Sequence, residues 1–474
     1  MKKLFIFLLA LCLTVAGLTV PASAEFNSSL EVDANIAYLI SLDKDNTIIY
    51  DKNSEARYAP AALVKIVTGI VVIENCADLD AVVTAEYDSI NAVVGTGSST
   101  LGINTGEELS VRDLLLCSLV YNAADATNIL VHYVCDTTEE FVGKMNDLAE
   151  RLGCVNTHFT DPIGFDNDDQ YTTAREIAAL YYYCIGNSAF NEIVSTDYFE
   201  IPPTNKSGYT RYLKTTNGLM NSNIGDYYYK YVKSGKSGVA GKDGCNSVSV
   251  ASKDGYNYLC VIMDSRYADY DDDKVDENMA FVSAKKLYDW TFENIKLRIV
   301  ASPSTYVTEI PVKLSNEYDY VSLVPAEEIS ALVPSGVNAE SLLIEPLPGQ
   351  MPEFVKAPIK KGDIIGRAAV KYAGETVAEV DLAAAFDVRG SLLKGIGDLL
   401  LRVLKSTAFK ILFVVALALA VFFGLMMFRN GRFDRKKGTV RPAGGRAARP
   451  QQNARKQRPV RKKRTGGSPG ARKR

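Results

Sequence analysis

Residues 58–69 read YAPAALVKIVTG and open a helical pattern of apolar residues that continues to about residue 74. Within this stretch, Lys65 stands three positions after Ala62. In a serine acyltransferase whose base is lysine, the hydroxyl lies one helical turn before the amine, because positions i and i+3 share a helix face. In this stretch alanine, not a hydroxyl residue, stands one turn before the lysine, so whether it belongs to such a site depends on the rest of the sequence.

The N-terminal end of the chain predicts export. Lys2 and Lys3 are followed by an apolar run and then by Ala22-Ser23-Ala24, the small-x-small pattern that a signal peptidase cleaves. We therefore predict a signal peptide at residues 1–24. An uncleaved N-terminal anchor is the alternative.

A second apolar segment, near the C-terminus, predicts a membrane anchor. Residues 411–428, ILFVVALALAVFFGLMMF, carry no charge and are long enough for a helix to cross a hydrocarbon core of roughly 30 Å. We predict a transmembrane helix at 408–428, preceded by an amphipathic linker at 390–407. A buried core helix is the alternative for the apolar segment.

The tail that follows, residues 429–474, is strongly basic. It contains 18 Lys or Arg and one acidic residue, Asp434. The positive-inside bias predicts a cytoplasmic tail, and a composition rich in Arg, Gly, Pro and Gln predicts disorder because it cannot bury a core. Anionic lipid or a cytoplasmic partner is its expected contact. Since the whole chain has a formal net charge of −3, the +17 of the tail leaves −20 for residues 1–428, so the exported part is acidic.

Two folding regions are expected between these ends. Residues 25–299 alternate strand-like runs such as AYLISL and SVSVAS with helical patterns, which predicts an α/β (α+β) domain. One helical pattern, VRDLLLCSLVYNAADATNILVHYV, runs from 111 to 134. Residues 300–389 contain short strand candidates separated by Pro and Gly, which predicts a small all-β domain.

Several segments carry a resemblance to one family of cell-wall enzymes. They are SSTLGINTGEELSVRDLL at 98–115, RLGCVNTHFTDPIGF at 151–165, YTTAREIAALYY at 171–182, RYLKTTNGLM at 211–220 and APIKKGDIIGRAAVKYAGETVAEVDL at 357–382. In this order they resemble the landmarks of the serine-type D-alanyl-D-alanine carboxypeptidases, the low-molecular-weight penicillin-binding proteins of peptidase family S11. The resemblance implies a penicillin-binding/β-lactamase-like transpeptidase domain followed by a small β domain, held outside the plasma membrane and acting in peptidoglycan metabolism.

The resemblance also implies three motifs, S-x-x-K, S-x-N and K-[TS]-G. In the family, the first serine attacks the D-Ala-D-Ala amide and the helical lysine takes its proton. The first motif falls on residues 62–65, where Ala62 holds the nucleophile position and Lys65 the general-base position. A methyl group cannot form an acyl-enzyme, and loss of such a nucleophile lowers turnover on the order of a million-fold.

The second motif aligns on residues 122–124. Asn122 replaces the serine and Ala124 replaces the asparagine, while Asp125 and Ala126 still match the family. Asn122 can donate and accept hydrogen bonds, but it cannot shuttle a proton as a hydroxyl beside lysine does. Two of the three motifs are therefore predicted to lack their reactive groups.

The third motif has two possible registers, KSG at 233–235 and KSG at 236–238. The distance to the following strand favours Lys236, Ser237 and Gly238, which would offer a cation and a hydroxyl to a carboxylate. An exposed turn without a ligand is the alternative. We predict no metal site and no cofactor, since the chain has two histidines and no CxxC pair.

Three functions remain open on the sequence alone. The first is a pseudoenzyme that binds peptidoglycan stem peptides or cell-wall proteins at the membrane. The second is an active carboxypeptidase with a misplaced or unusual nucleophile. The third is an inert platform for a functional basic tail. The other hydroxyls and thiols considered as nucleophiles are Ser41, Thr68, Cys117, Ser118 and Ser283.

Overall fold

The computed structural model describes residues 30–431, except 44–45, 166, 242–243, 270–274 and 339–340. The predicted signal peptide at 1–24 lies outside the described residues, as does the predicted basic tail from 432 onwards. The chain divides into two units between residues 395 and 396.

An antiparallel sheet, buried on both faces, forms the centre of the first region. The strands of this region are β1 (Ala34–Ser41), β2 (Ile48–Lys52), β3 (Val82–Thr84), β4 (Glu108–Ser110), β5 (Tyr198–Ile201), β6 (Arg211–Lys214), β7 (Val232–Ala240), β8 (Gly244–Lys253), β9 (Tyr256–Ser265), β10 (Tyr267–Ala268) and β11 (Glu277–Asn278). Within the described residues, the central sheet has the order β2-β1-β9-β8-β7, which leaves β7 at one edge. Along β1, Ile36, Tyr38 and Ile40 enter one hydrophobic core, while Ala37 and Leu39 enter another. Successive side chains of a strand point to opposite faces, so both faces of this sheet are covered.

Helices cover the two faces of the sheet unequally. They are a 3-10 turn (Ala61–Val64), α1 (Lys65–Asn75), α2 (Tyr87–Asn91), α3 (Val111–Leu119), α4 (Ala124–Val134), α5 (Thr138–Arg151), α6 (Ala174–Ile185), α7 (Ser188–Val194) and α8 (Met279–Asn294). Helices α1 and α3 to α7 bury their apolar residues with Ile36 and Tyr38 on one face of the sheet. Helix α8 packs on the opposite face. The α/β class predicted for this region is therefore observed.

The single helical pattern predicted at 111–134 is wrong at one point, because the structure breaks it into α3 and α4. The break centres on Asn122, whose φ is +70°. Asparagine is one of the few residues with a side chain that adopts this left-handed conformation readily. A new helix begins at Ala124. Just before it, the backbone amide of Ala123 donates a hydrogen bond to the carbonyl oxygen of Cys117 at 2.8 Å. The break places Asn122 at the surface of a cleft.

Gly164 packs directly against the backbone that leads into α1. Its φ is +96°, and a Cβ atom on it would lie 2.2 Å from the carbonyl oxygen of Ala61. Ala61 itself has φ +48°, so the chain just before Ala62 is in the left-handed region that is unfavourable for alanine. Because Gly164 has no side chain, the backbone at Ala61 can lie directly against it at the start of the 3-10 turn.

We expect Gly164→Ala to lower the free energy of unfolding by ~1–3 kcal/mol more than Gly153→Ala does, because it adds a steric clash. Gly153 also has a positive φ, +78°, but open space at its Cβ position. Its substitution therefore reports only the backbone cost, about 1–2 kcal/mol. Chemical denaturation monitored by the fluorescence of Trp290, the one tryptophan in the sequence, measures both. Equal losses of unfolding free energy in the two variants would contradict the predicted clash and show that the backbone at Ala61 moves to accommodate the added methyl group.

The second region is the small β domain expected from the sequence. Its strands are β12 (Ile295–Ala301), β13 (Thr308–Lys313), β14 (Tyr320–Pro325), β15 (Ile329–Pro334), β16 (Leu343–Pro346), β17 (Val355–Lys356), β18 (Ile364–Tyr372) and β19 (Glu375–Ala384). In the described part of this region, six strands pair in the order β16-β18-β19-β14-β13-β17, and β12 pairs with β15. The predicted boundary at 299/300 falls inside β12.

Strands β12 and β15 form a ribbon that borders two hydrophobic cores. Leu332 of β15 and Ile295 of β12 belong to the core that α8 covers. Ala331 and Val333 of β15, with Val300 of β12, belong to the core of the β domain. The ribbon thus supplies apolar side chains to both domains.

Two helices end the described chain. They are α9 (Leu392–Lys405), within the predicted linker, and α10 (Thr407–Gly431). The most apolar 18-residue window of the segment Thr407–Arg429 has a mean hydropathy of 2.9, and by length and composition this is the one described helix that could cross a membrane. It contains the transmembrane helix predicted at 408–428.

Candidate active site

Five of the seven motif residues predicted from the sequence line one open cleft of about 620 Å³. The 3-10 turn and the first residue of α1 supply Ala62 and Lys65. The break between α3 and α4 supplies Asn122, and the edge strand β7 supplies Ser237 and Gly238. A cleft of this size can hold a small peptide or a drug-sized molecule.

Two buried lysines meet at the oxygen atoms of Asn122. Lys65 Nζ donates to Asn122 O at 2.8 Å and to Asn122 Oδ1 at 3.1 Å. Lys236 Nζ donates to the same Oδ1 at 2.9 Å and to Ser237 O at 2.9 Å. The two lysines are only 2% and 1% exposed. Asn122 therefore joins the two amines through an oxygen that has no proton to transfer.

Burial makes both amines weak bases. It lowers the pKa of Lys65 to about 7, against the smaller opposing effects of the carboxylates of Asp125 and Asp161. Burial, followed by the positive charge of Lys65, holds the pKa of Lys236 well below its usual value. The charged form of an amine is disfavoured where water is excluded. Near neutral pH Lys65 is therefore close to half protonated.

We expect Lys65→Met to flatten the rise of stability with pH. Between pH 7 and 10.5 the unfolded chain binds a proton at Lys65 that the folded chain does not, so the free energy of unfolding rises with pH in this window. From pH 7 to pH 9 the native chain should gain about 2 kcal/mol more than Lys65→Met, at about 1.4 kcal/mol per pH unit for a fully shifted group. Denaturation monitored by Trp290 fluorescence measures the difference. Lys233→Met, which removes an exposed lysine from β7, is the control and should follow the native curve. Parallel curves for Lys65→Met and the native chain would contradict the lowered pKa.

Ala124 lies beneath the wall of the cleft. It is fully buried and packs in an apolar cluster with Val93, Ile163 and the partly buried Phe165. Ile163 and Phe165 in turn line the cleft. The region around the third position of the second motif is thus packed with apolar side chains.

Only one of the two possible registers of the third motif reaches the cleft. Ser237 and Gly238 line it, whereas Lys233 is exposed at the protein surface. Gly238 packs so closely on the 3-10 turn that a Cβ atom there would lie 2.7 Å from the backbone nitrogen of Ala62. This contact brings β7 against the start of α1.

Two carboxylates that sequence reasoning left without a role stabilise the loops around the lysines. Asp125 accepts hydrogen bonds from the backbone amides of residues 101–103, at 2.9 to 3.1 Å. Asp161 Oδ1 accepts bonds from the amides of residues 163–165, at 2.6 to 3.2 Å. For Asp161 the sequence carries a signal, since Asp before Pro and Gly commonly bonds to the amides that follow it. Both carboxylates also act on Lys65 electrostatically.

The other nucleophile candidates lie away from the cleft. Thr68 donates to the carbonyl of Pro162 at 2.7 Å, and Ser118 pairs with Thr127 at 2.8 Å. All five candidates are buried, and none lines the cleft: Ser41, Thr68, Cys117, Ser118 and Ser283. Among the described residues, the amine of Lys65 bonds only to Asn122 and to no hydroxyl or thiol.

The fold and the lysine-bearing cleft define the class of this protein as a transpeptidase-type domain with an appended β domain. Residues 22–267, more than half of the chain, match the family described as D-alanyl-D-alanine carboxypeptidase. Residues 297–389 match the C-terminal domain of penicillin-binding protein 5. The chain therefore belongs to the D-alanyl-D-alanine carboxypeptidase family, whose members act in peptidoglycan metabolism.

Individual relatives match about three quarters of the chain. D-alanyl-D-alanine carboxypeptidase DacF of Bacillus subtilis is 25% identical over 366 residues, which cover 76% of this chain and 87% of that protein. DacC of Escherichia coli is 25% identical over 389 residues, covering 79% and 87%. Two solved structures share the fold. DacD of Francisella tularensis has a TM-score of 0.60 at 21% identity, covering 76% of this chain and 95% of that one. Penicillin-binding protein 5 of Haemophilus influenzae has a TM-score of 0.56 at 23% identity, covering 77% and 99%.

Proposed function

We propose that this chain is a noncatalytic member of its family that binds peptidoglycan stem peptides or cell-wall proteins. The observation that carries the proposal is the methyl group of Ala62, which stands at the nucleophile position of a cleft that is otherwise open. Lys65 retains the base position, but its hydrogen bonds go to Asn122, which has no hydroxyl to deprotonate.

Changes at three separate positions support a loss of chemistry with retention of the cleft. Asn122 replaces the proton-relaying serine yet still accepts hydrogen bonds from both lysines. Ala124 replaces an amide side chain, and the apolar side chain of Ile163 packs beside it. An accidental loss of the serine at position 62 alone would not explain the changes at positions 122 and 124. A binding role needs the cleft and its polar groups but no nucleophile.

The proposal is tested by incubating the purified native chain with a fluorescent penicillin and, separately, with a peptide ending in D-Ala-D-Ala. We expect no covalent label and no released D-alanine. The alternative function, an active carboxypeptidase with an unusual nucleophile, predicts both. A labelled native chain would overturn the proposal, and mass spectrometry of the labelled peptide would then identify the nucleophile.

The proposed location is the outer face of the plasma membrane, with α10 as a single-pass anchor and the basic tail in the cytoplasm. The length and hydropathy of α10 and the 18 basic residues that follow position 428 support this topology. A functional tail is the third candidate from the sequence, with anionic lipid or a cytoplasmic protein as its partner. Deletion of residues 430–474 tests it. If the deletion reproduces the loss of the whole gene, the tail rather than the cleft carries the function.

A further inference from the structure

The hairpin of β5 and β6 carries exposed tyrosines on its outer face. Side chains alternate along both strands, so Phe199, Ile201 and Leu213 enter the core beneath the hairpin. The opposite face presents four side chains to solvent and is called the tyrosine face below: Tyr198, Glu200, Tyr212 and Lys214. Tyr198 is 42% exposed and Tyr212 is 66% exposed. Large aromatic rings exposed together on one face are a feature of binding surfaces.

The two tyrosines are neighbours on this face. The strand register sets Tyr198 opposite Lys214 and Glu200 opposite Tyr212, so the tyrosines occupy diagonal positions. Aromatic side chains are long enough to meet across such a diagonal. The hydroxyl of Tyr198 donates a hydrogen bond of 2.6 Å to Glu200 Oε1. The face therefore offers two adjacent rings, one of which is held in place by a carboxylate.

The hairpin is fixed to the body of the domain. Arg211, on its inner face, forms a buried ion pair with Glu107. In the loop between the strands, the Asn205 side chain accepts a hydrogen bond of 2.9 Å from the backbone amide of Glu108 and donates one of 2.8 Å to the carbonyl oxygen of Gly106. A surface on a rigid support loses little conformational freedom when it binds a ligand. The tyrosine face is therefore pre-organised for binding.

The tyrosine face is separate from the cleft. The described residues that line the cleft come from other parts of the chain, and the nearest of them along the sequence is Thr216, which follows the hairpin. A ligand on the tyrosine face would therefore contact the protein without using the motif residues.

The chemistry of the face matches a sugar ring. A pyranose has a face of C–H groups that packs on an aromatic ring, and a rim of hydroxyls that bond to phenol, carboxylate and ammonium groups. The tyrosine face supplies each of these partners. Two of its four side chains are charged, whereas the core of a protein–protein interface is depleted of charge. The two charges are opposite, so the face does not favour a highly charged polymer.

We propose that the tyrosine face binds a glycan strand, with sugar rings packed on Tyr198 and Tyr212 and sugar hydroxyls bonded to Glu200 and Lys214. The family acts in the metabolism of peptidoglycan, whose strands are chains of pyranose sugars. Binding on this face would hold the protein on the polysaccharide and leave the cleft free. The inference goes beyond the proposed function of the cleft and does not depend on whether the cleft is catalytic.

Calorimetric titration of the full-length chain with chitohexaose tests the inference. This oligosaccharide has β-1,4-linked N-acetylglucosamine units and no peptide, and the detergent is uncharged and free of sugar so that it does not compete. We expect saturable binding by the native chain. Tyr212→Thr should bind at least about tenfold more weakly, because aromatic anchors dominate the energy of an interface. Threonine keeps the strand propensity of the position while it removes the ring. No binding by the native chain would overturn the inference and favour a protein as the occupant of the face.

Two further variants separate ring packing from a structural role. Tyr212→Phe retains the ring and should bind within about threefold of the native chain. Tyr306→Thr removes a tyrosine that is 62% exposed in the loop before β13, outside the hairpin, and should bind as the native chain does. Trp290 fluorescence identifies any variant that has not folded. Equal losses of affinity in Tyr212→Phe and Tyr212→Thr would overturn the inference, because the ring would then not be the contact.

The double variant Tyr198→Thr and Tyr212→Thr decides where the sugar binds. We expect it to show no measurable binding of chitohexaose. Binding equal to that of the native chain would place the sugar elsewhere on the protein and overturn the inference. Penicillin labelling and D-alanine release test the cleft alone, so either result there leaves the glycan site standing. The failure of this inference and the failure of the proposed function are therefore distinguishable.

Discussion

We expect fluorescent penicillin to label a chain that carries Ala62→Ser and Asn122→Ser. The first substitution returns a hydroxyl one helical turn before Lys65, at a position that lines the cleft. The second exchanges the amide oxygen between the lysines for a hydroxyl that can pass a proton. Loss of such a nucleophile costs on the order of a million-fold in turnover, so the change from native to double variant should be from no label to near-stoichiometric label.

The local packing leaves room for the restored hydroxyl. Gly238 of β7 packs against Ala62, and it has no side chain at the point where a Cβ atom would lie 3.1 Å from the Cβ of Ala62. Gel fluorescence and intact mass spectrometry measure the labelled fraction. Adding Lys65→Met to the double variant should abolish the label, because the general base is then absent. A folded double variant without label would show that the cleft does not admit a β-lactam, and the stem-peptide ligand would lose support.

The third reversion, Ala124→Asn, is expected to work against the other two. Ala124 is fully buried and packs with Val93, Ile163 and Phe165, so the larger amide side chain overpacks this cluster, at a cost of about 1–3 kcal/mol. The triple variant should unfold at lower denaturant concentration than the double variant. Adding Ile163→Thr, which offers a hydroxyl beside the amide, should recover part of the loss.

The second large effect is expected at the ion pair between Glu107 and Arg211. Arg211 Nη2 lies 2.5 Å from Glu107 Oε1, and the two side chains are 9% and 0% exposed. Glu107 also accepts bonds from Thr204 Oγ1 at 2.8 Å and from the amide of Asn104 at 2.9 Å. Breaking a buried pair by removing one charge typically costs 3–5 kcal/mol, because the other charge stays buried and uncompensated. We therefore expect Glu107→Gln to lower the free energy of unfolding by about 3–5 kcal/mol at pH 7.

The pH dependence of this loss provides an internal check. Burial alone would raise the pKa of Glu107, but hydrogen bonds from Asn104, Thr204 and Arg211 and the guanidinium charge outweigh it, so the pKa lies below the usual value of 4.5. The stabilisation is therefore complete above that value and disappears as the pH falls through the lowered pKa. Glu108→Gln, at an exposed neighbouring position, should change stability by less than about 0.5 kcal/mol. A loss below about 1 kcal/mol for Glu107→Gln would mean that the pair adds little to stability.

The fold and the motif positions could be predicted because their signals are local. The spacing of Ala62 and Lys65 on one helix, the apolar strands and the turn residues all lie within short windows of sequence. The long apolar segment after residue 410 is likewise visible without any tertiary information. These features predict the order of the domains without any information on contacts between distant residues.

The features that give the cleft its character depend on contacts between distant residues. Asn122 bonds to a lysine 57 positions before it and to another 114 positions after it, so its bridging role has no local signature. The burial of Ala124 beside Ile163 and the pairing of Glu107 with Arg211 are of the same kind. The break at Asn122 has no sequence signal either, because the helical spacing of apolar residues continues on both sides of it.

The ribbon of β12 and β15 limits how this protein can be divided. Helix α8 passes into β12 without an intervening residue, and the ribbon contributes side chains to the cores on both sides of it. A fragment that ends at residue 299 would carry five of the seven residues of β12 without their partner strand and would expose Ile295 to water. The complementary fragment would present β15 with an open backbone edge, the kind of edge that pairs with other chains and aggregates. Fragments for crystallisation or display should therefore retain residues 295–334 with both domains.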